Sequence, residues 1–352
     1  MKKQRNHAFD LLCGICILRM IMLHVSIECG FYKQPWWQDV LSWSYYFMSF
    51  FFFKAGYFNK TVAGDTKAFI IGKAKSLMLP YFVWGIVGSG VYMYIAYFLF
   101  RPGNWLERAI HLEHLWTTST WYGNSPTWFL MSFFTAYVAM HLISKAPSLA
   151  IPVTHNRSFR LKLHWLVLIF PWISYWLYKN GNPLWLDLDN VTWGIFLFFL
   201  GRLWHVVLDR LKRRDALLLS LAMVAVFVYL NINYPGGYYM YSNKWTGNFY
   251  ITLPKVLLAL CGLSGVLISL RVPAIPLLDY VGRHSMVYFV GHYPIIYLYK
   301  CILSYNGIAV RMHWWYSAIL MAIILTVLTI AVPWVERVPW MSGRFPKKAS
   351  IE

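Results

Sequence analysis

Apolar positions gather into long runs separated by short polar, mostly basic, stretches. Crossing a hydrocarbon core as a helix takes about 20 apolar residues. Runs of that order lie at 9–29, 39–58, 76–100, 127–144, 161–178, 191–208, 216–232, 248–269, 284–303 and 315–333. The pattern predicts an all-α, polytopic membrane protein of about ten transmembrane helices, forming one integral-membrane domain over residues 1–352. The fifth and sixth runs are the weakest, because Pro171 and the Gly194/Gly201 pair interrupt them.

Composition agrees with that pattern. Hydrophobic residues make up 59% of the 352-residue chain and charged residues only 13%, with 19% aromatic, the balance of an integral membrane protein. The first run is too long for the apolar region of a signal peptide, and no small-residue cleavage site follows it. Cys13, Cys16, Cys29, Cys261 and Cys301 fall mostly inside apolar runs without metal-type spacing. They read as small apolar residues, and no metal is expected.

The net charge of +19 would suit nucleic acid if the basic residues formed a patch. They sit instead between the spans, so a nucleic-acid partner is not expected. With the N-terminus placed in the cytoplasm, most of the 32 lysines and arginines fall on the inner side, as the positive-inside rule requires. Both termini are then cytoplasmic. The longest outer loops are 101–126, with His111, Glu113 and His114, and 233–247, rich in Tyr and Gly. Their aromatics read as an interfacial belt or as a platform on which sugar rings stack.

Several ionisable residues lie inside spans, where they are costly and usually face protein or a hydrated cavity. At about 1.5 Å of rise per residue, Arg19 lies roughly 14 Å and His24 roughly 22 Å into the first span, and His292 roughly 12 Å into the ninth. With Lys73 and Lys75 at the inner surface, Lys54 above them, and Glu28 and Lys255 toward the outer side, these groups form a path across the membrane. Glu28 and Lys255 suit a structural ion pair between helices.

Such a path suits ion-coupled transport or chemistry within the membrane. Proton-coupled carriers commonly place Asp or Glu mid-membrane, whereas Asp10, Glu28, Asp39 and Asp279 all fall near span ends. A basic inner vestibule below a deep histidine better fits an anionic donor and a general base, the usual task of histidine near neutral pH. The chain has no G-x-S-x-G, P-loop or dinucleotide fingerprint. His205 and Asp209 have an H-x3-D spacing that arises easily by chance.

Five segments resemble the acyltransferase family 3 membrane proteins. "FDLLCGICILRMIMLH" resembles their first-helix motif, with Asp10, Gly14 and His24 in register. "FFFKAGYF" from Phe51, "KAFIIGKAKSLMLPYFVW" from Lys67 and "TWFLMSFFTAY" from Thr127 resemble later segments. "YVGRHSMVYFVGHYPII" from Tyr280 resembles a Gly-x-x-Ser-x-x-x-Tyr-x-x-x-His-x-Pro motif through Gly282, Ser285 and His292. The marks run from residue 10 to 296. Cys13 stands where the family has its first-helix arginine, with Arg19 six residues further on. The basic pair before the proline falls near Lys73 and Ser76, with Lys75 between.

The resemblance implies a multi-pass enzyme of the bacterial cytoplasmic membrane. It would take an acyl group, usually acetyl, from cytoplasmic acyl-CoA and pass it to a hydroxyl of a surface or exported glycan or its lipid-linked precursor. It implies a catalytic role for His24. Arg19, as the cation for the oxyanion, and His292 are the further expected site residues, read from their charge and depth rather than from the resemblance. Lys54, Lys73 and Lys75 are the expected acyl-CoA contacts. The rival expectations are a glycan or lipid-intermediate transporter without chemistry and an assembly partner of a glycan synthase.

Overall fold

The structure, a computed structural model, describes residues 6–59, 65–100, 115, 117–146, 148–154, 157–181, 184–308 and 314–345. Lys60, His111, Glu113 and His114 lie outside the described residues. Among those described, eight helices are long and apolar enough to cross a membrane. The protein is therefore an all-α, multi-pass membrane protein.

Two of the ten expected spans do not form single long helices. The second splits into α2 (Pro35–Trp43) and α3 (Ser49–Phe58). Each is roughly 15 Å long or less, about half a hydrocarbon core. The fifth becomes a 3₁₀ stretch, Leu163–Ile169, leading into the ten-residue α7 (Phe170–Lys179). Pro171 sits at its start, where a missing N–H costs nothing. The sixth run, expected to be weak, is the continuous 22-residue α8 (Asp189–Arg210). Its glycines break nothing because they serve packing instead.

The first helix, α1, spans His7–Glu28. Between α3 and the next long helix lies α4 (Thr66–Lys73), then a π-helical turn, Ala74–Met78, and α5 (Leu79–Phe100). Then come α6 (Trp128–Lys145) and an antiparallel pair, β1 (Ser148–Thr154) with β2 (Arg157–Lys162). After α7 and α8 come α9 (Arg213–Asn233), the two-residue strands β3 (Tyr238–Tyr239) and β4 (Lys244–Trp245), and α10 (Phe249–Leu270). The chain closes with α11 (Pro276–Arg283), α12 (Ser285–Tyr305), α13 (Trp314–Arg337) and α14 (Pro339–Ser342).

Two compact units result. The first comprises residues 1–47, 72–131 and 273–352. Here α1 and α11 touch backbone to backbone. A side chain at Gly14 would strike the Leu278 backbone, and one at Gly282 the carbonyl of Asp10. Small residues permit such approaches between membrane helices, so both motif glycines have a packing reason. In α12, Pro294 lacks the N–H that would bond the carbonyl of Val290, four residues back. Asn124 replaces it, donating its side-chain amide to Val290 O at 2.8 Å and to Trp84 O at 3.1 Å.

The second unit comprises residues 48–71 and 132–272. Its core joins α3 to α8. Gly56 abuts the Phe198 backbone, Gly201 abuts the Phe53 carbonyl, and the Phe52, Phe133, Tyr137 and Phe198 rings interlock.

Candidate functional site

Residues of α1 and α12 meet within the first unit. The His24 and His292 rings lie 5.2 Å apart, tilted by 37°. The Tyr293 ring stands perpendicular to that of His24 at 5.1 Å. His292 is fully buried and His24 partly exposed. The sequence placed these histidines on separate spans at different depths, and the fold brings them face to face.

His292 has a defined tautomer. Its Nδ1 lies 2.7 Å from Phe289 O and 3.1 Å from Tyr288 O. A carbonyl only accepts, so Nδ1 carries the hydrogen and the neutral ring has its lone pair on Nε2. That Nε2 is buried with no hydrogen-bond partner among the described residues. An unsatisfied buried acceptor is costly, and here it belongs to the ring opposite His24.

Arg19 is buried, yet it is held. Its Nε donates to Ser44 Oγ at 3.0 Å, and its guanidinium lies 3.8 Å from the Phe47 ring centroid. Arg19 lies five residues before His24 on α1, and His292 faces His24 from α12. The three expected catalytic residues therefore share one region. Sequence reasoning did not single out Ser44 and Phe47, which carry no motif. Nor did it single out Tyr293, whose one signal is its place beside His292.

Glu28 and Lys255, expected as a pair, fall in different units. Glu28 is ion-paired with Lys300 of α12 and accepts from the Tyr293 hydroxyl at 3.4 Å. Lys255 belongs to the second unit, where its buried ammonium donates to the carbonyls of Tyr234 and Gly236 at 2.7 and 2.8 Å. Two carbonyls that no helix or strand uses thus accept from the charged group.

The expected donor contacts divide between the units. Lys73 and Lys75 lie at the π-helical turn of the first unit, Lys75 exposed and Lys73 partly so. π-turns recur at functional sites. Gly343 packs against the Ser76 backbone beside them. The next residue, Arg344, pairs with Glu336 and donates to the Arg283 carbonyl at 2.6 Å. Glu336 also meets His284 at 2.6 Å. This adds Arg344 and Arg283 to the basic end of the unit. Lys54 lies on α3 in the second unit, partly exposed.

The aromatic loop 233–247 is part buried and part open, with Tyr234, Tyr239 and Tyr241 exposed. Tyr238 and Trp245 are buried against Trp193 and Phe249. Burial raises the Tyr238 phenol well above its ordinary range. Asn243, in left-handed backbone, locks the loop through Ser174, Tyr238 and its own amide. The H-x3-D pair is a local contact on α8, His205 Nε2 to Asp209 Oδ2 at 3.3 Å.

The fold is that of a membrane-embedded protein in which two histidines face each other between two spanning helices. A family model described as an acyltransferase domain matches residues 6–335. The chain therefore belongs to the acyltransferase 3 family, and it is a membrane acyltransferase. No curated protein and no solved structure matches it.

Proposed function

We propose that the protein is an acyl-CoA-dependent O-acyltransferase of the bacterial cytoplasmic membrane. It moves an acyl group, acetyl in the simplest case, to a hydroxyl of an exported glycan or its lipid-linked precursor. The observation that carries this reading is the His24–His292 apposition at 5.2 Å, in a chain of the acyltransferase family.

In this reading His24 is the general base. It takes the proton from the acceptor hydroxyl as that oxygen attacks the thioester carbonyl carbon. The tetrahedral oxyanion collapses, the C–S bond breaks, and the CoA thiolate leaves with the proton that His24 held. His292, its Nδ1–H tied to backbone carbonyls, offers the Nε2 lone pair as a neighbour to the His24 imidazolium. Arg19 supplies the positive charge for the oxyanion, an electrostatic role worth several kcal/mol in a site that excludes water. Ser44 and Phe47 hold its guanidinium in place. Lys73 and Lys75, with Arg344 beside them, receive the donor's phosphates. The arginine adds the planar fork that a lysine lacks.

The test is transfer of label from [¹⁴C]acetyl-CoA into the glycan and lipid-linked sugar fractions of membranes carrying the protein. The reading predicts label in a base-labile ester, absent when His24 is replaced by Ala. Equal labelling in both membranes contradicts it.

A further inference from the structure

Beyond His24, toward the C-terminal end of α1, the first unit gathers polar groups in unusual number for spanning helices. Tyr293 forms a buried floor, 8% exposed. Its ring stands perpendicular to that of His24, and its hydroxyl reaches Glu28. Tyr297 packs edge-on against Tyr293 at 5.0 Å, Tyr92 against Tyr297 at 5.4 Å, and Tyr122 against Tyr92 at 4.7 Å. The last two hydroxyls are 3.5 Å apart. The Glu28–Lys300 ion pair closes the group. Tyr92, Tyr122, Tyr297, Glu28 and Lys300 are all partly exposed. The cluster is thus an accessible polar rim on a floor that touches His24.

An ion pair between two helices needs one carboxylate and one ammonium. Four phenols in sequence exceed that need, and polar groups at membrane depth are costly unless matched. A hydrocarbon chain laid here would strand the hydroxyls and the charges. A phosphate would meet Lys300 but be repelled by Glu28. A sugar ring satisfies the whole set. Its C–H face packs on the phenol rings, its hydroxyls exchange hydrogen bonds with phenols and carboxylate, and an oxygen accepts from the ammonium.

We propose that Tyr92, Tyr122, Tyr293, Tyr297, Glu28 and Lys300 form a subsite for one neutral sugar ring of the acceptor, presenting a ring hydroxyl to His24. The proposal rests on the reading of His24 as the base, but sugar binding is measurable without chemistry.

The test is thermal unfolding of the full chain in lipid nanodiscs. The probes are methyl glycosides of glucose, galactose, mannose and N-acetylglucosamine. Polyols stabilise folded proteins generally by exclusion from their surface, so the comparison between variants decides. At least one glycoside is expected to raise the Tm of both wild type and His24→Ala by about 1–2 °C more than that of Tyr92→Phe/Tyr297→Phe, which keeps the rings and loses two hydroxyls. Equal shifts in all three proteins, for every glycoside, overturn the subsite. A selective shift without any acyl transfer leaves the subsite standing and overturns the enzymatic reading alone.

Discussion

Asn124 donates its side-chain amide to the Val290 carbonyl at 2.8 Å, the acceptor that Pro294 leaves without its helical partner. This bond supports the turn of α12 that carries His292. Asn124→Ala strands a buried carbonyl, and a cost of about 1–3 kcal/mol is expected. Pro294→Ala restores an N–H at the right position, so it recovers part of that loss. Chemical denaturation of the two single variants and the double variant measures the coupling. Strictly additive effects contradict the compensation.

Gly282→Ala places a methyl group against the Asp10 carbonyl at the α1–α11 contact. Backbone there has no side chain to swing aside, and a loss of about 2 kcal/mol or more is expected. Gly72, in α4, is the control, because nothing lies within 4 Å of its added Cβ. Gly72→Ala is expected to be neutral or to stabilise by up to about 1 kcal/mol through helix propensity. Melting temperatures of the two variants check the contrast, and equal effects would refute the close-packing account.

Arg19→Lys keeps the charge but loses the stacked plane over Phe47 and the Nε bond to Ser44. A fall in kcat of about tenfold or more is expected, with the melting temperature nearly unchanged. Arg19→Met removes the cation and is expected to be worse still. Full turnover in a well-folded Arg19→Met protein assigns Arg19 to structure alone.

Replacing Lys73 and Lys75 together by Gln is expected to weaken acetyl-CoA binding and flatten its salt dependence. Exposed charge contacts are screened over about 8 Å at physiological salt. Titration at low and high ionic strength checks this. Salt-independent affinity, the same in the double variant, moves the donor site elsewhere.

The spans were legible because apolar run length is a direct requirement of the bilayer, and the long helices α1, α9, α12 and α13 lie close to their expected limits. The break at 44–48 was not legible, since "SWSYYFMSF" carries no glycine, proline or charge and only packing decides where it turns. His24, His292 and Arg19 stood out as costly residues at membrane depth. Their apposition did not, because residues 24 and 292 meet only through the tertiary pairing of α1 with α12. Lys255 misled for a related reason. Its ammonium donates to backbone carbonyls, which every residue has and no sequence marks.

Release of free CoA by the purified protein reports whether His24 is the base for acyl transfer. The protein is supplied with acetyl-CoA and the glycan fraction that accepts label in membranes. Wild type is expected to release CoA in step with ester formation. His24→Ala is expected to lose about 10²–10⁴-fold in rate while melting like wild type, and His292→Ala to lose less. CoA release by folded His24→Ala at the wild-type rate contradicts the account.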